Sequence, residues 1–140
     1  MEDIFKALGD ENRLRILNLL TDYELCVCEI EVLLDLNQSN VSRHLGKLKS
    51  SDVISSYKDG QWMHYRLSDE FKENGNDLIK YLKEQVFNKK PYVNELKKCK
   101  IYIDSPLSCQ DITSDKERVL KFLKRELEKQ ILSEVAENEK

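Results

Sequence analysis

The chain has 140 residues, of which 40% are hydrophobic and 35% are charged, and its formal net charge is −3 at pH 7. This length allows one domain with an appended segment. The acidic balance argues against a protein that coats nucleic acid without sequence preference, although it allows a local basic face. The N-terminus is acidic where a signal peptide is basic, and no apolar run approaches the roughly 18 residues needed to cross a bilayer. We therefore expect a cytoplasmic protein with no membrane partner.

Two helices are predicted at the N-terminus. Residues 4–8 form a short apolar turn that Gly9 can end. Asp10 can then cap a second helix, which extends to Leu20. A polar break over residues 21–24 follows this helix.

A helix-turn-helix is predicted next. Residues 25–36 have the apolar spacing of a short amphipathic helix, and Asn37 can cap a second helix that begins at Gln38. The second helix has one apolar stripe, formed by Val41, Leu45 and Leu48. Its opposite side is polar and cationic, with no acidic residue between Gln38 and Ser51. A helix that lies in a DNA major groove needs such a face, although an ordinary solvated helix also shows it.

A β-hairpin is predicted after this helix. Residues 53–57 and 62–67 are strand-like, and the Asp-Gly pair between them favours a tight turn. A hairpin directly after a reading helix is a wing, whose tip can reach the DNA backbone or minor groove. His64 on the second strand is expected to be a packed strand residue rather than a ligand. The expected DNA contacts are Gln38, Ser39, Asn40, Ser42, Arg43, His44, Lys47, Lys58 and Gln61, although helix packing is an equal alternative for His44.

The remainder of the chain is expected to be mainly helical. Residues 69–87 read as one helix and residues 92–100 as another, whereas residues 101–114, which include Pro106, read as a loop or short strand. A strongly helical tail begins at Asp115, and its apolar stripe must pack on this subunit or on a partner.

The predicted fold is mainly α with a small β-hairpin wing. We expect a winged helix-turn-helix domain for DNA binding and dimerisation over residues 1–88. Residues 89–140 form a helical C-terminal extension that ends in an amphipathic helix.

Cys26 and Cys28 are candidate metal ligands. Two thiolates are soft ligands that suit thiophilic ions. At positions i and i+2 of a regular helix the side chains point about 200° apart, so both sulfurs can meet one ion only where the helix start is irregular. Binding is therefore expected to distort the start of this helix. The alternatives are two small buried hydrophobic residues or a redox pair.

The order of these elements resembles that of the ArsR/SmtB family of metal-responsive winged-helix repressors. The stretches that carry the resemblance are FKALGDENRLRILNLL at 5–20, ELCVCEI at 24–30, QSNVSRHLGKL at 38–48 and DGQWMHYRL at 59–67. They cover roughly the first half of the chain. The resemblance implies a repressor that binds an inverted-repeat operator as a homodimer. The dimer interface it implies is Ile4, Phe5, Leu8, Leu78, Ile79, Leu82 and Val86.

The ELCVC segment resembles that of the arsenic-responsive members. This implies that Cys26 and Cys28 bind As(III) or Sb(III), which releases the repressor from its operator. The third cysteine of the arsenic-responsive pattern is replaced here by Glu31, so Cys99 or Cys109 is the possible third ligand. Alternative inducers are Cd(II), Pb(II), Zn(II) and thiol oxidation.

An enzyme is the alternative of a different class. Cys-x-Cys with distant cysteines could belong to a thiol-dependent reductase or a metal carrier. The sequence has no Gly-rich phosphate loop, no Ser/His/Asp set and no Cys-x-x-Cys pair. We therefore expect a regulator rather than an enzyme.

Overall fold

The computed structural model describes residues 2–138 and shows a winged helix-turn-helix unit joined to three C-terminal helices. The sheet is antiparallel, with strand order β1-β3-β2. The elements are α1 (Glu2–Leu8), α2 (Glu11–Leu20), β1 (Leu25–Cys26), α3 (Val27–Leu34), α4 (Gln38–Ser50), β2 (Ile54–Asp59), β3 (Trp62–Leu67), α5 (Asp69–Asn74), α6 (Asn76–Gln85), α7 (Tyr92–Asp104), α8 (Cys109–Ser114) and α9 (Lys116–Asn138).

The two helices of the helix-turn-helix are α3 and α4, and α4 begins where the sequence predicts. The side chain of Asn37 accepts a hydrogen bond from the backbone N–H of Asn40 at 2.9 Å, which caps α4. Its predicted apolar stripe is buried: Val41, Leu45 and Leu48. The side chain of Asp10 caps α2 in the same way, through the N–H of Arg13.

The start of α3 differs from the prediction. Leu25 and Cys26 form the short strand β1 and pair with Tyr65 and His64 of β3, so α3 begins only at Val27. Apolar spacing alone could not distinguish a two-residue strand from the first turn of a helix. The wing therefore has three strands, and its third strand is the segment that leads into α3.

The wing turn is tight, as the Asp-Gly pair predicts. Asp59 pairs with Trp62 across the turn, and Gly60 adopts a positive φ of 64°. Glycine reaches this backbone conformation without the steric cost that a side chain imposes.

Residues 69–87 form two helices rather than the one that the apolar spacing predicts. The break lies at Gly75, whose N–H donates to the carbonyl of Phe71 at 2.8 Å. A Cβ placed on Gly75 would lie 2.7 Å from both the ring and the carbonyl of Phe71, so this corner needs a residue without a side chain.

The C-terminal helices share one hydrophobic core with the winged unit. Arg15 of α2 donates to both carboxylate oxygens of Glu95 on α7, at 3.1 and 2.9 Å. Val119 and Leu123 of α9 are buried in this core. The stripe of the tail is thus covered within the subunit in its N-terminal part, whereas Val135, at the other end of the stripe, is 48% exposed.

The expectation of a loop or short strand over residues 101–114 was wrong. Helix α7 continues to Asp104, and α8 occupies the second half of this range. At the start of α8 the carboxylate of Asp111 accepts the backbone N–H of Ser108 at 2.8 Å. This capping contact supports a helix of six residues, which is too short to show an apolar period.

Candidate thiol site and nucleic-acid interface

Cys26 lies immediately before α3 and not inside it. Its backbone is extended, with φ −83° and ψ 164°, and its side chain is 2% exposed. The angular separation expected for two cysteines of one regular helix therefore does not apply. The start of α3 is thus irregular at Cys26, which is the condition that the sequence sets for both sulfurs to meet one ion.

Cys109 joins the two predicted cysteines. It is the first residue of α8, which packs against α3, and it is half-buried. Its sulfur lies within 4.8 Å of the Cys26 sulfur. Its proximity also raises the pKa of the Cys28 thiol. Cys99, the other candidate for a third ligand, is fully buried among the apolar side chains of the core.

Glu29 and Tyr102 complete the surroundings of the cluster. One oxygen of Glu29 accepts the backbone N–H of Cys26 at 2.8 Å, and the other accepts the hydroxyl of Tyr102 at 2.5 Å. The Glu29 carboxylate and the sulfurs of Cys26 and Cys109 all lie within 4.8 Å of one another. Sequence analysis missed both residues. Glu29 could have been found, because Cys26-x-x-Glu29 has the spacing of a capping box with cysteine in place of serine.

The environment keeps the thiols of Cys26 and Cys28 protonated at neutral pH. Burial, with the nearby charge of Glu29, raises the pKa of Cys26 to about 12. The hydrogen bond with Cys109, followed by burial, raises the pKa of Cys28 well above its usual value. An ion must therefore displace protons to bind these sulfurs.

His64 touches the cluster from the wing. Its Nδ1 lies 3.5 Å from the Cys26 sulfur, in line with the cross-strand pairing of these two residues. The ring stacks on Tyr57 with a centroid distance of 5.2 Å and an interplanar angle of 13°. His64 is therefore in contact with a candidate ligand, and its description as a packed strand residue was incomplete.

A pocket of about 370 Å³ opens beside the sulfurs. It lies between α3, β3 and the C-terminal helices, and it extends to Gln38 at the start of α4. Its lining includes Cys26, Cys28, Glu31, Gln38, Trp62 and Lys116. Solvent and small solutes can thus reach the cluster.

The face of α4 opposite the buried stripe is polar and cationic in the structure. The exposed side chains among the expected DNA contacts are Gln38, Ser39, Ser42, Arg43, Lys47, Lys58 and Gln61. Asn40 is half-buried and accepts a hydrogen bond from Arg43 at 3.3 Å.

His44 does not belong to this exposed face. Its side chain is 2% exposed, and its Nδ1 lies 3.4 Å from a guanidinium nitrogen of Arg13. Burial lowers the pKa of His44, so the ring is neutral and can accept this hydrogen bond. The expected contact of His44 with DNA is corrected to a packing contact between α4 and α2.

The predicted dimer residues fall into three groups according to their exposure. Leu8 and Leu82 are buried within the subunit, which removes them from an interface between subunits. Ile4, Leu78, Ile79 and Val86 are half-buried. Phe5 on α1 is 59% exposed, as is Tyr81 on α6, so large aromatic surfaces of these two helices face solvent.

The helix-turn-helix, the three-stranded wing and the cationic face of α4 define a winged helix-turn-helix protein. The sequence profile described as bacterial regulatory protein, arsR family, matches residues 10–56. An uncharacterized HTH-type transcriptional regulator of Methanocaldococcus jannaschii, MJ1325, is 41% identical over 83 residues, which cover 59% of this chain and 90% of that protein. The chain belongs to the ArsR family of bacterial regulatory proteins, which confirms the resemblance and the expectation of a regulator.

Two further relatives carry names that concern metals. The arsenical resistance operon repressor of Escherichia coli K12 is 48% identical over 66 residues, which cover 46% of this chain and 56% of that protein. The cadmium resistance transcriptional regulatory protein CadC of Listeria innocua is 45% identical over 62 residues, which cover 44% of this chain and 52% of CadC. The chain thus spans only about half the length of these relatives.

Solved structures agree on the fold. The solution structure of a homodimeric winged helix-turn-helix DNA-binding domain from Mycobacterium bovis, Mb0332, superposes with a TM-score of 0.54 at 27% identity. The match covers 61% of this chain and 79% of that one. Over residues 2–138, none of the helices has the length and apolar character that crossing a bilayer requires.

Proposed function

We propose that this protein is a transcriptional repressor that binds operator DNA in the cytoplasm and is released when As(III) or Sb(III) binds Cys26, Cys28 and Cys109. The observation that carries the proposal is the approach of Cys109 to Cys26, whose sulfurs lie within 4.8 Å of each other although the residues are far apart in the sequence. Cys28 lines the same pocket as Cys26, beside the wing and the start of the recognition helix.

Charge balance favours a trivalent ion at this site. Arsenous acid reacts with three thiols to give a neutral trithiolate and three waters, As(OH)₃ + 3 RSH → As(SR)₃ + 3 H₂O, and no net proton is released. A divalent cation on three thiolates would leave one negative charge in a partly buried site next to Glu29, and uncompensated charge is costly there. The E. coli relative, an arsenical resistance repressor, supports arsenic, and CadC supports cadmium as the alternative inducer.

Thiol oxidation is favoured less. Hydrogen peroxide could join Cys109 to Cys28 in a disulfide, 2 RSH + H₂O₂ → RSSR + 2 H₂O. The thiolate is the form that reacts, and the pKa of Cys28 is raised, so this thiol is a poor nucleophile at neutral pH.

The site is mechanically connected to the DNA-facing surface in two ways. Cys26 belongs to β1, which pairs with β3 of the wing, and α3 packs directly against the recognition helix α4. An ion that pulls Cys26 and Cys28 toward Cys109 moves the start of α3 relative to the wing and to the recognition helix α4. A coupling free energy of about 1–3 kcal/mol weakens DNA binding about 5- to 150-fold.

Homodimerisation supplies the second half of the reading surface. Phe5 and Tyr81 leave large aromatic surfaces exposed on α1 and α6, which is typical of an interface. A two-fold dimer places two copies of α4 on an inverted repeat. The homodimeric Mb0332 domain supports this assembly.

The test is a titration of the reduced, full-length protein on DNA from the promoter of its own gene, followed by fluorescence anisotropy. Arsenite is expected to release the unsubstituted protein. Three single variants should still bind DNA but should no longer be released by arsenite: Cys26→Ser, Cys28→Ser and Cys109→Ser. Serine is a preferred N-cap residue, so Cys26→Ser should preserve the start of α3.

Cys99→Ala is the matched control, because Cys99 lies in the core and should not affect release by arsenite. Charge transfer from sulfur to arsenic in the ultraviolet should saturate at one ion per subunit. If arsenite released Cys109→Ser from DNA at the same concentrations as the unsubstituted protein, the assignment of Cys109 as the third ligand would be wrong. Equal operator affinity of the free and arsenite-treated protein would overturn the proposal as a whole.

A further inference from the structure

The thiol cluster has a second group of donors on the side away from Cys28. A pocket of about 320 Å³ is lined by Glu29, His64, Tyr102 and Cys109. The Cys26 sulfur lies at the edge of this group, 3.5 Å from His64 Nδ1. Two sulfurs and a carboxylate oxygen lie within 4.8 Å of one another, and the imidazole nitrogen contacts one of these sulfurs.

We propose that Cys26, Cys109, His64 and Glu29 form a second metal site, which holds a divalent cation of borderline softness such as Zn(II). The proposal does not depend on the response to arsenic, because it uses His64 and Glu29 and leaves Cys28 out. The two ligand sets share Cys26 and Cys109, so the cation and arsenite exclude each other.

The distances suit tetrahedral coordination. Zinc bonds of about 2.3 Å to sulfur and about 2.05 Å to nitrogen, at the tetrahedral angle, place the two donor atoms about 3.6 Å apart. The observed separation of the Cys26 sulfur and His64 Nδ1 is 3.5 Å. The donors of Cys26, Glu29 and Cys109 lie within 4.8 Å of one another, so a contraction of about 1 Å brings these three to one ion. His64 then has to move from its contact with Cys26 toward the other two donors.

The charge of the bound ion determines which of the two ligand sets it prefers. A dication with two thiolates, a neutral imidazole and the Glu29 carboxylate has a net charge of −1, which is the charge that this carboxylate already gives the site in the metal-free protein. A dication on all three sulfurs would carry an extra negative charge, whereas a trivalent ion would not. Imidazole and carboxylate donors also suit Zn(II) better than they suit trivalent arsenic.

The donors are held in position by neighbours, as metal ligands usually are. The His64 ring stacks on Tyr57, and Glu29 is fixed by the Cys26 N–H and the Tyr102 hydroxyl. Since His64 belongs to β3 and Cys109 to α8, a bound cation would tie the wing to the C-terminal helices.

The experiment is a Co(II) titration of the reduced, full-length protein, because Co(II) is a spectroscopic substitute for Zn(II). Sulfur-to-cobalt charge transfer and intense visible bands typical of tetrahedral Co(II) are expected, and Zn(II) should displace them. His64→Phe keeps an aromatic ring against Tyr57 but removes the nitrogen. It should weaken Co(II) binding by more than about 100-fold, since even loss of an outer-shell partner costs 10–100-fold.

Two matched variants separate this site from the arsenic site. Cys28→Ser should lose three-sulfur arsenite binding and keep the Co(II) spectrum. Glu29→Gln can still accept the Cys26 N–H, so it preserves the start of α3 and should weaken Co(II) binding alone. Absence of tetrahedral bands in the unsubstituted protein would overturn the second site, as would a Co(II) spectrum that is lost in Cys28→Ser and unchanged in His64→Phe. These outcomes do not depend on whether arsenite releases DNA.

Discussion

The DNA-facing surface is formed by residues that are close together in the sequence, whereas the thiol cluster is formed by residues that are far apart. The recognition helix and the β2–β3 hairpin of the wing come from one continuous stretch, Gln38 to Leu67, and their shape depends on local caps and a tight turn. The thiol cluster brings Cys109 within 4.8 Å of Cys26, and this approach exists only because α7 to α9 fold back on the winged unit. Damage to the C-terminal core should therefore disturb ion binding before it disturbs the reading surface.

The largest effect is expected for Leu123→Ala in α9. Leu123 is fully buried in the shared core, so its truncation should reduce the free energy of unfolding by about 2–5 kcal/mol. Folded protein that remains should bind arsenite more weakly, because α9 supports α8. Urea denaturation measures the first effect, and Leu132→Ala, at a position 69% exposed on the same helix, should stay within about 0.5 kcal/mol. Equal stability of the two variants would show that the C-terminal helices are not part of the core.

Arg43→Ala tests the other region. Arg43 is exposed on α4, so its loss should cost about 1–3 kcal/mol of DNA-binding free energy without changing stability or arsenite affinity. Fluorescence anisotropy at several salt concentrations measures this loss and its salt dependence. Lys100→Ala removes an exposed charge on α7 and serves as the control. Equal losses in the two variants would mean that general charge, rather than the α4 face, attracts DNA.

Tyr102→Phe should have a smaller effect, confined to the thiol side. It removes the hydroxyl that donates to Glu29 at 2.5 Å, and the loss of one such bond costs about 1 kcal/mol of unfolding free energy. Operator affinity should not change. Tyr81→Phe, on the exposed face of α6, is the control and should leave stability unchanged. A weakened operator complex in Tyr102→Phe would contradict the separation of the two regions.

The smallest effect is a pH dependence of stability that originates at His44. Burial lowers the pKa of His44 below its ordinary value of 6.5, so the unfolded chain binds a proton more readily than the folded one. The neutral ring contributes to the free energy of unfolding above pH 6.5, and this contribution is lost as the pH falls toward the lowered pKa of His44. Denaturation between about pH 7.5 and 5 should show this loss, and His44→Gln should reduce it. A profile that His44→Gln leaves unaltered would assign the effect to another group.

Local signals made most of the winged unit predictable from the sequence. Asn37 and Asp10 cap helices where a side-chain oxygen precedes an apolar period, and Gly60 fixes the wing turn. The start of α3 was not predictable in this way, because a two-residue strand depends on its partner β3 and leaves no period of its own.

Long-range contacts limited the prediction of the thiol site. Cys109 and Cys99 were equal candidates because spacing along the chain does not show which one meets Cys26. The roles of His64 and Tyr102 come from a strand register and a helix packing that no local pattern encodes. His44 was misassigned because position 44 lies at the boundary between the polar face and the buried stripe of α4.

The corner at Gly75 determines the direction in which α6 leaves the wing. Any side chain there would press on Phe71, which is itself buried, so the angle between α5 and α6 has little freedom. In the homodimer proposed above, with α6 at the interface, this angle sets the separation of the two recognition helices, which must match about one turn of the double helix. In that assembly, Gly75 limits the spacing of the operator half-sites although it lies far from any base.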